Sequence, residues 1–147
     1  MKTLVVYDSM FGFTEKIAKA IASGISGDVK VLRFTEIKTG DIEGADLMVV
    51  GSPTQGGRPL KPIQKWLDDL SEAVIKGKKV AVFDTRVPAK WVKIFSFAAT
   101  RIAAVLNKKG AKLVGEPSGF FVKASKGPFV DGEEARAREW GRKITVT

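Results

Sequence analysis

The 147-residue chain contains neither cysteine nor histidine. Without thiols there is no disulfide, no thiolate nucleophile, no zinc ribbon and no iron–sulfur ligation. Without imidazole, the side chain best suited to neutral-pH base catalysis and the commonest metal ligand are missing too. Chemistry on this chain is therefore expected from a bound cofactor, with no catalytic side chain and no metal ligand set. Long hydrophobic runs are also absent. The longest apolar stretch, Trp91 to Leu106, is interrupted by Lys93 and Arg101 and falls short of the ~20 apolar residues a membrane span needs. A strand pattern begins almost at the N-terminus, without the basic and apolar regions of a secretory signal. The expected setting is cytoplasmic.

What is present describes an ordinary globular chain. Hydrophobic residues make up 44% and charged residues 28%, close to the globular average, which suggests neither a disordered nor a membrane class. The length suits one domain over residues 1–147. Lysine and arginine total 25 against 16 acidic residues, a formal charge of +9. That balance favours acidic or phosphate-bearing partners over basic ones.

Apolar strand-like runs recur at Thr3 to Tyr7, Val29 to Phe34, Leu47 to Val50, Val80 to Phe83, Lys112 to Val114 and Gly119 to Val122, with helical patterns between them. Such alternation predicts a parallel sheet with helices on both faces. Ile17, Ala18, Ile21, Ala22 and Ile25 form one side of a first helix that Gly24 and Gly27 end. A second helix spans about Leu60 to Leu70, and a third runs roughly from Trp91 to Lys109. The last opens at "DGEE", where Asp131 is placed to cap and Glu134 to complete a capping box. Thr35 to Asp46 is polar and glycine-rich and reads as a loop or a short helix. Five strands in a doubly wound sheet take the order 2-1-3-4-5, and ligands then sit beyond the carboxyl ends of the strands, at the switch between the first and third.

Three loops meet at that edge. The first, within "YDSMFGFTEK", is a tight turn between strand and helix. Backbone N–H groups at a helix start suit an anion, Ser9 and Thr14 add hydroxyls, and Gly12 lets backbone approach. A capped turn without ligand is the plain alternative. It is neither a Walker loop nor the three-glycine dinucleotide fingerprint. The second, "GSPTQGGRP" from Gly51 to Pro59, carries adjacent glycines able to lie flat against a planar ligand. The third, "DTRVPAKW" from Asp84 to Trp91, closes the same edge, with Trp91 read as the first core residue of the next helix.

Together, "SMFGFT", "GSPTQGGRP" and "FDTR" resemble a short-chain flavodoxin or flavodoxin-like domain over nearly the whole chain. The resemblance implies a five-stranded flavodoxin-like fold, FMN as cofactor and electron transfer between redox partners. It implies phosphate contacts from Ser9, Met10, Phe11, Gly12, Phe13 and Thr14. It implies flavin contacts from Pro53, Thr54, Gln55, Gly56, Gly57, Asp84, Thr85 and Arg86. The chain departs from the family where Phe11 replaces a usual hydroxyl residue and Gln55 a frequent aromatic. Flavodoxins are also usually acidic, so the +9 charge predicts partners with an acidic docking face. Arg58, Arg86 and Lys90 lie on or beside the two loops around the ring, and they predict stabilisation of the reduced flavin anion.

Other functions of the same fold are weighed on residues. A phosphoreceiver needs an acceptor Asp ending the third strand, where this chain has Gly51 and Ser52, and that absence excludes it. A small FMN-dependent NAD(P)H:quinone or flavin reductase stays open as the alternative. Nucleic-acid binding, prompted by "KGKK" at Lys76 to Lys79, "KKGAK" at Lys108 to Lys112 and the Arg136, Arg138, Arg142 and Lys143 group, lacks an aromatic-interleaved basic motif, and such patches are commonly solvated surface.

Overall fold

The computed structural model describes residues 1–88, 97–124 and 127–146. In chain order the elements are β1 (Lys2–Tyr7), α1 (Phe13–Ser23), β2 (Asp28–Arg33), a 3-10 turn (Phe34–Glu36), α2 (Thr39–Glu43), β3 (Leu47–Pro53), α3 (Lys61–Asp69), α4 (Glu72–Ile75), β4 (Lys79–Arg86), α5 (Ala98–Lys108), β5 (Lys112–Leu113), β6 (Ser118–Phe121) and α6 (Glu133–Ile144). The strands are parallel in the order β2-β1-β3-β4-β5, and β6 also pairs with β4.

The central strands β1, β3 and β4 are apolar on both faces because helices cover both. Leu4, Val6, Met48, Val50, Val80 and Val82 pack with Ile63 and Leu67 of α3 and Ile102 and Leu106 of α5. On the other face Val5, Val49, Ala81 and Phe83 meet Ile17 and Ile21 of α1 and Ala137 of α6. Trp140 of α6 adds edge-on contacts to Phe83 and Phe120, at centroid distances of 6.2 and 6.0 Å.

The architecture is the expected one, with instructive differences in detail. The fifth strand is split: β5 pairs with Lys79 and Val80, and β6 resumes the ladder at Phe83 through Arg86. Strand β3 runs on to Pro53 and β4 to Arg86, so Asp84, Thr85 and Arg86 are strand residues and not a loop. Helix α5 begins at Ala98; the expected start at Trp91, with Lys90, Lys93 and Phe95, lies outside the described residues. The capping box at "DGEE" does not form. Gly132 caps α6 with a φ of 86° and no side-chain cap. Glu133 instead turns back to accept the Phe121 N–H at 2.7 Å and the Arg136 guanidinium at 2.8 and 2.6 Å.

Candidate functional site

The sheet's carboxyl edge is shaped by where three strands stop. β1 ends at Tyr7, and the Asp8 N–H still bonds to the Gly51 carbonyl at 3.1 Å, so the first loop departs from the strand ladder at Ser9. Its next bonds are local: the Ser9 N–H donates to Asp8 Oδ1 at 2.8 Å, and the Gly12 N–H donates to Ser9 Oγ at 2.9 Å. Gly12 then caps α1 with a φ of 89° and without a side-chain cap. The first intrahelical bond runs from Lys16 N to the Gly12 carbonyl at 3.1 Å. The N–H groups of Phe13, Thr14 and Glu15 therefore have no carbonyl within the helix to meet. Among the described residues no side chain caps this helix. An 11-residue helix adds its dipole to those donors, which is a donor set suited to an anion.

Met10 and Phe11 stand on the outside of this loop, each about half exposed. Phe13 is turned inward, edge-on to Phe129 at 5.2 Å. Thr14 is buried, with its Oγ1 2.9 Å from Thr85 Oγ1. Its hydroxyl thus holds α1 to β4, and what Thr14 offers a ligand is its N–H.

The second loop is a tight hairpin. Gln55 and Arg58 exchange backbone bonds of 2.8 and 3.0 Å, and Gly56 and Gly57 between them have φ of 57° and 77°. Two successive positive φ angles make this the kind of turn that favours glycine at both central positions. Arg101 of α5 donates to the Gly57 carbonyl at 3.1 Å, and Gln55 Nε2 reaches Met10 Sδ at 3.1 Å. First and second loops are therefore bridged across the mouth of the site.

At the end of β4 lies a buried ion pair. Arg86 donates to both oxygens of Asp84 at 2.7 Å, with Asp84 fully buried and Arg86 15% exposed. Asp84 also accepts the Ala99 N–H at 3.0 Å, and Thr54 Oγ1 accepts that of Ala98 at 3.2 Å. These two side chains supply the start of α5. Burial pushes the Asp84 carboxyl up, against the opposing pull of Arg86, the Ala99 N–H and the Thr54 hydroxyl. Phe97 covers the guanidinium at 3.4 Å. On the other side Gly119 leaves it room, since a β-carbon there would collide with it.

A depression at this edge is lined by Ser9, Met10, Phe11, Phe13 and Thr14 from the first loop. Pro53, Thr54 and Gln55 form a second wall, and Thr85 and Arg86 the floor's end. Sequence reasoning thus placed ten of its residues on one surface. Gly12, Gly56 and Gly57 shape the backbone around it, while Asp84 stands below it, joined to its lining by Arg86 and the Thr54 hydroxyl. Val87 and Val122 also line the depression and were not foreseen. Val122 closes the expected fifth-strand run, which is the signal that could have found it. Arg33 was missed as well: it donates to Asp8 Oδ1 at 3.0 Å and to the Ser9 carbonyl at 2.5 Å, a pairing across 25 positions that no local pattern announces.

Comparison with known proteins agrees with this geometry. The flavodoxin family model matches residues 5–140. The flavodoxin of Clostridium saccharobutylicum is 32% identical over 58% of this chain and 56% of its own, so the match spans little more than half of that relative. The flavodoxin of Maridesulfovibrio salexigens is 30% identical over 78% of this chain and 82% of its own. A solved flavodoxin from the domain Archaea superposes with a TM-score of 0.83 at 27% identity, covering 99% of this chain and 97% of that one. The chain belongs to the flavodoxin family, the FMN-binding electron-transfer proteins.

Proposed function

We propose that the chain is an electron carrier that holds one FMN in the depression at the β1–β3–β4 edge. The N–H groups of Phe13, Thr14 and Glu15, with the Ser9 hydroxyl, take the phosphate, and Gly12, Met10 and Phe11 shape the loop around it. Pro53, Thr54 and the hairpin through Gln55, Gly56 and Gly57 border the ring on one side, with Thr85 and Arg86 on the other. The bound flavin supplies the one- and two-electron chemistry that no side chain here provides. The observation that carries this reading is the start of α1: a left-handed glycine, no side-chain cap and unmatched N–H groups at the switch point, facing the depression.

The partner reading follows from charge. In segments 8–12, 53–61, 84–88 and the described part of 119–130, the carboxylates are Asp8 and Asp84, both buried and each paired with an arginine. Arg58, Lys61 and Lys123 are exposed in the same segments. Met10, Phe11 and Val87 supply exposed apolar surface among these cations. This edge suits a redox partner with an acidic face. Among the described residues, no helix is long and apolar enough to cross a membrane.

The test is titration of the purified protein with FMN, followed by assay with and without a nicotinamide cofactor. The expected result is a one-to-one flavin complex that does not oxidise nicotinamide without an added reductase. Refusal of FMN would overturn the cofactor assignment. Steady nicotinamide oxidation by the complex alone would replace the carrier with a reductase.

A further inference from the structure

The first loop is built over a buried negative charge. The Asp8 side chain is 5% exposed and follows directly on β1, at the base of the loop that carries Ser9 and Gly12. Its Oδ1 accepts two bonds, from the Ser9 N–H at 2.8 Å and from Arg33 Nη2 at 3.0 Å. The same Nη2 donates to the Ser9 carbonyl at 2.5 Å. Arg33, at the end of the neighbouring strand β2, thus holds both the carboxylate that orients the Ser9 N–H and the carbonyl that leaves Ser9. Ser9 in turn accepts the Gly12 N–H at 2.9 Å. One guanidinium is connected through Ser9 to the residue that caps α1.

The electrostatics point the same way. An unmatched carboxylate beneath an anion-binding loop repels the anion, and in a partly buried setting that repulsion is poorly screened. Arg33 cancels the charge where it sits. The surrounding carboxylates are committed elsewhere: Glu15 accepts from the Tyr7 hydroxyl at 3.0 Å and pairs with Lys19 at 3.5 Å, and Glu36 accepts the Arg33 backbone N–H at 3.0 Å.

We propose that Arg33 is a positioning residue for the phosphate end of the flavin, neutralising Asp8 beneath the first loop and fixing Ser9, whose hydroxyl holds the Gly12 N–H, so that the start of α1 presents the N–H groups of Phe13, Thr14 and Glu15 to an anion. The inference rests on the FMN reading above. It differs from that reading in assigning phosphate selectivity to a residue on β2, outside all three loops.

The experiment titrates FMN and riboflavin, which lacks the phosphate, into the wild type, Arg33→Gln, Arg33→Lys and the double variant Asp8→Asn/Arg33→Gln. Repulsion from the unmatched Asp8 carboxylate predicts a roughly tenfold or larger weakening of FMN by Arg33→Gln, with riboflavin changed by less than about twofold. The double variant removes the buried charge together with its partner and is expected to recover most of the FMN affinity. Arg33→Lys keeps the charge but replaces the planar guanidinium, whose single Nη2 makes both contacts, with a shorter side chain, so it should fall between wild type and Arg33→Gln. Equal weakening of FMN and riboflavin by Arg33→Gln would overturn the proposal and leave Arg33 a general structural residue, and no recovery in the double variant would overturn the neutralisation of Asp8. A wild type that binds neither flavin would overturn the FMN reading itself. A wild type that binds FMN, with an unchanged FMN-to-riboflavin ratio in Arg33→Gln, would overturn this inference alone.

Discussion

The hydroxyl oxygens of Thr14 and Thr85 lie 2.9 Å apart, buried between the first turn of α1 and the penultimate residue of β4. Among the described residues each is the other's side-chain partner, so removing one leaves the other without a match in a buried setting. Thr14→Val or Thr85→Val alone should destabilise the flavin-free protein by about 1–3 kcal/mol. The double variant Thr14→Val/Thr85→Val should cost less than the sum of the two. Urea unfolding of the four proteins measures the coupling. Additive costs would mean the two hydroxyls do not depend on one another.

Gly12 is needed for its backbone angle and not for space. A β-carbon there would meet no atom within 4 Å, but the φ of 89° is one that a β-branched residue rarely adopts. Gly12→Val should therefore shift the N–H groups at the start of α1 and weaken FMN far more than riboflavin. Thr14→Val should affect FMN less, because the Thr14 hydroxyl already faces Thr85 and its N–H remains. Paired titrations of both ligands check this, and an equal loss for FMN and riboflavin in Gly12→Val would detach the phosphate from this turn.

Which features were legible in the amino-acid order follows from how local their causes are. The runs that became β1, β3 and β4 are apolar on both faces, and the helices between them repeat at three and four residues, so sheet order and layers could be read directly. The end of β4 could not. "DTR" looks like a polar loop, and it stays in the ladder because Asp84 and Arg86 neutralise each other on one face while Gly119 of β6 gives the guanidinium room. The start of α6 misled for a different reason: Gly132, at a φ of 86°, takes the cap one residue after Asp131, so Glu134 falls at the second helical position and not at the third that a capping box needs. The site's loops were found because glycine and hydroxyl residues mark them in sequence. Arg33 was not, since its role exists only once β2 lies beside β1.

Glu133 gives the fold a pH dependence. Its bonds from Arg136, foremost, and from the Phe121 N–H hold its carboxyl below the usual range. A lowered folded value means the unfolded chain binds the proton more readily. Its contribution is fully present above the ordinary glutamate value of about 4.3, and it fades as pH falls toward the lower folded value. Glu133→Gln should lower stability at pH 7 by on the order of 1.5 kcal/mol and flatten the loss between about pH 4.3 and lower pH. Urea midpoints across that range for both proteins make the comparison. A parallel pair of curves would remove Glu133 from the acid response.

Electron exchange with an acidic partner should slow as salt rises. The exposed cations Arg58, Lys61 and Lys123 lie close in sequence to residues that line the depression, and charges of this kind act mainly on the rate of encounter. Screening shortens to about 8 Å at physiological ionic strength, so the second-order rate should fall several-fold from low to moderate salt. Stopped-flow transfer to an acidic redox protein over a salt series tests it. Charge reversal at Lys61 and Lys123 should flatten the salt dependence without changing FMN affinity, and rates indifferent to ionic strength would remove the docking argument.

The sequence places Arg86 as a free cation beside the flavin, but the structure does not. Asp84 takes both prongs of its guanidinium at 2.7 Å, so the pair has no net charge to place near the ring, only the dipole between its two ends. The field at the flavin therefore depends on both residues. Asp84→Asn leaves the guanidinium unmatched and should raise the flavin midpoint potential. Arg86→Gln leaves the carboxylate unmatched and should lower it at a pH high enough to keep the buried Asp84 ionised, each by on the order of 50 mV. The double variant Asp84→Asn/Arg86→Gln should lie closer to wild type than either single change. Arg86→Gln also strands a buried carboxylate, so it should be less stable than the double variant by about 3 kcal/mol. Potentiometric titration of the four FMN-loaded proteins, with urea unfolding alongside, reads both effects. Single variants that shift the potential in the same direction would show that the pair acts through flavin packing and not through charge.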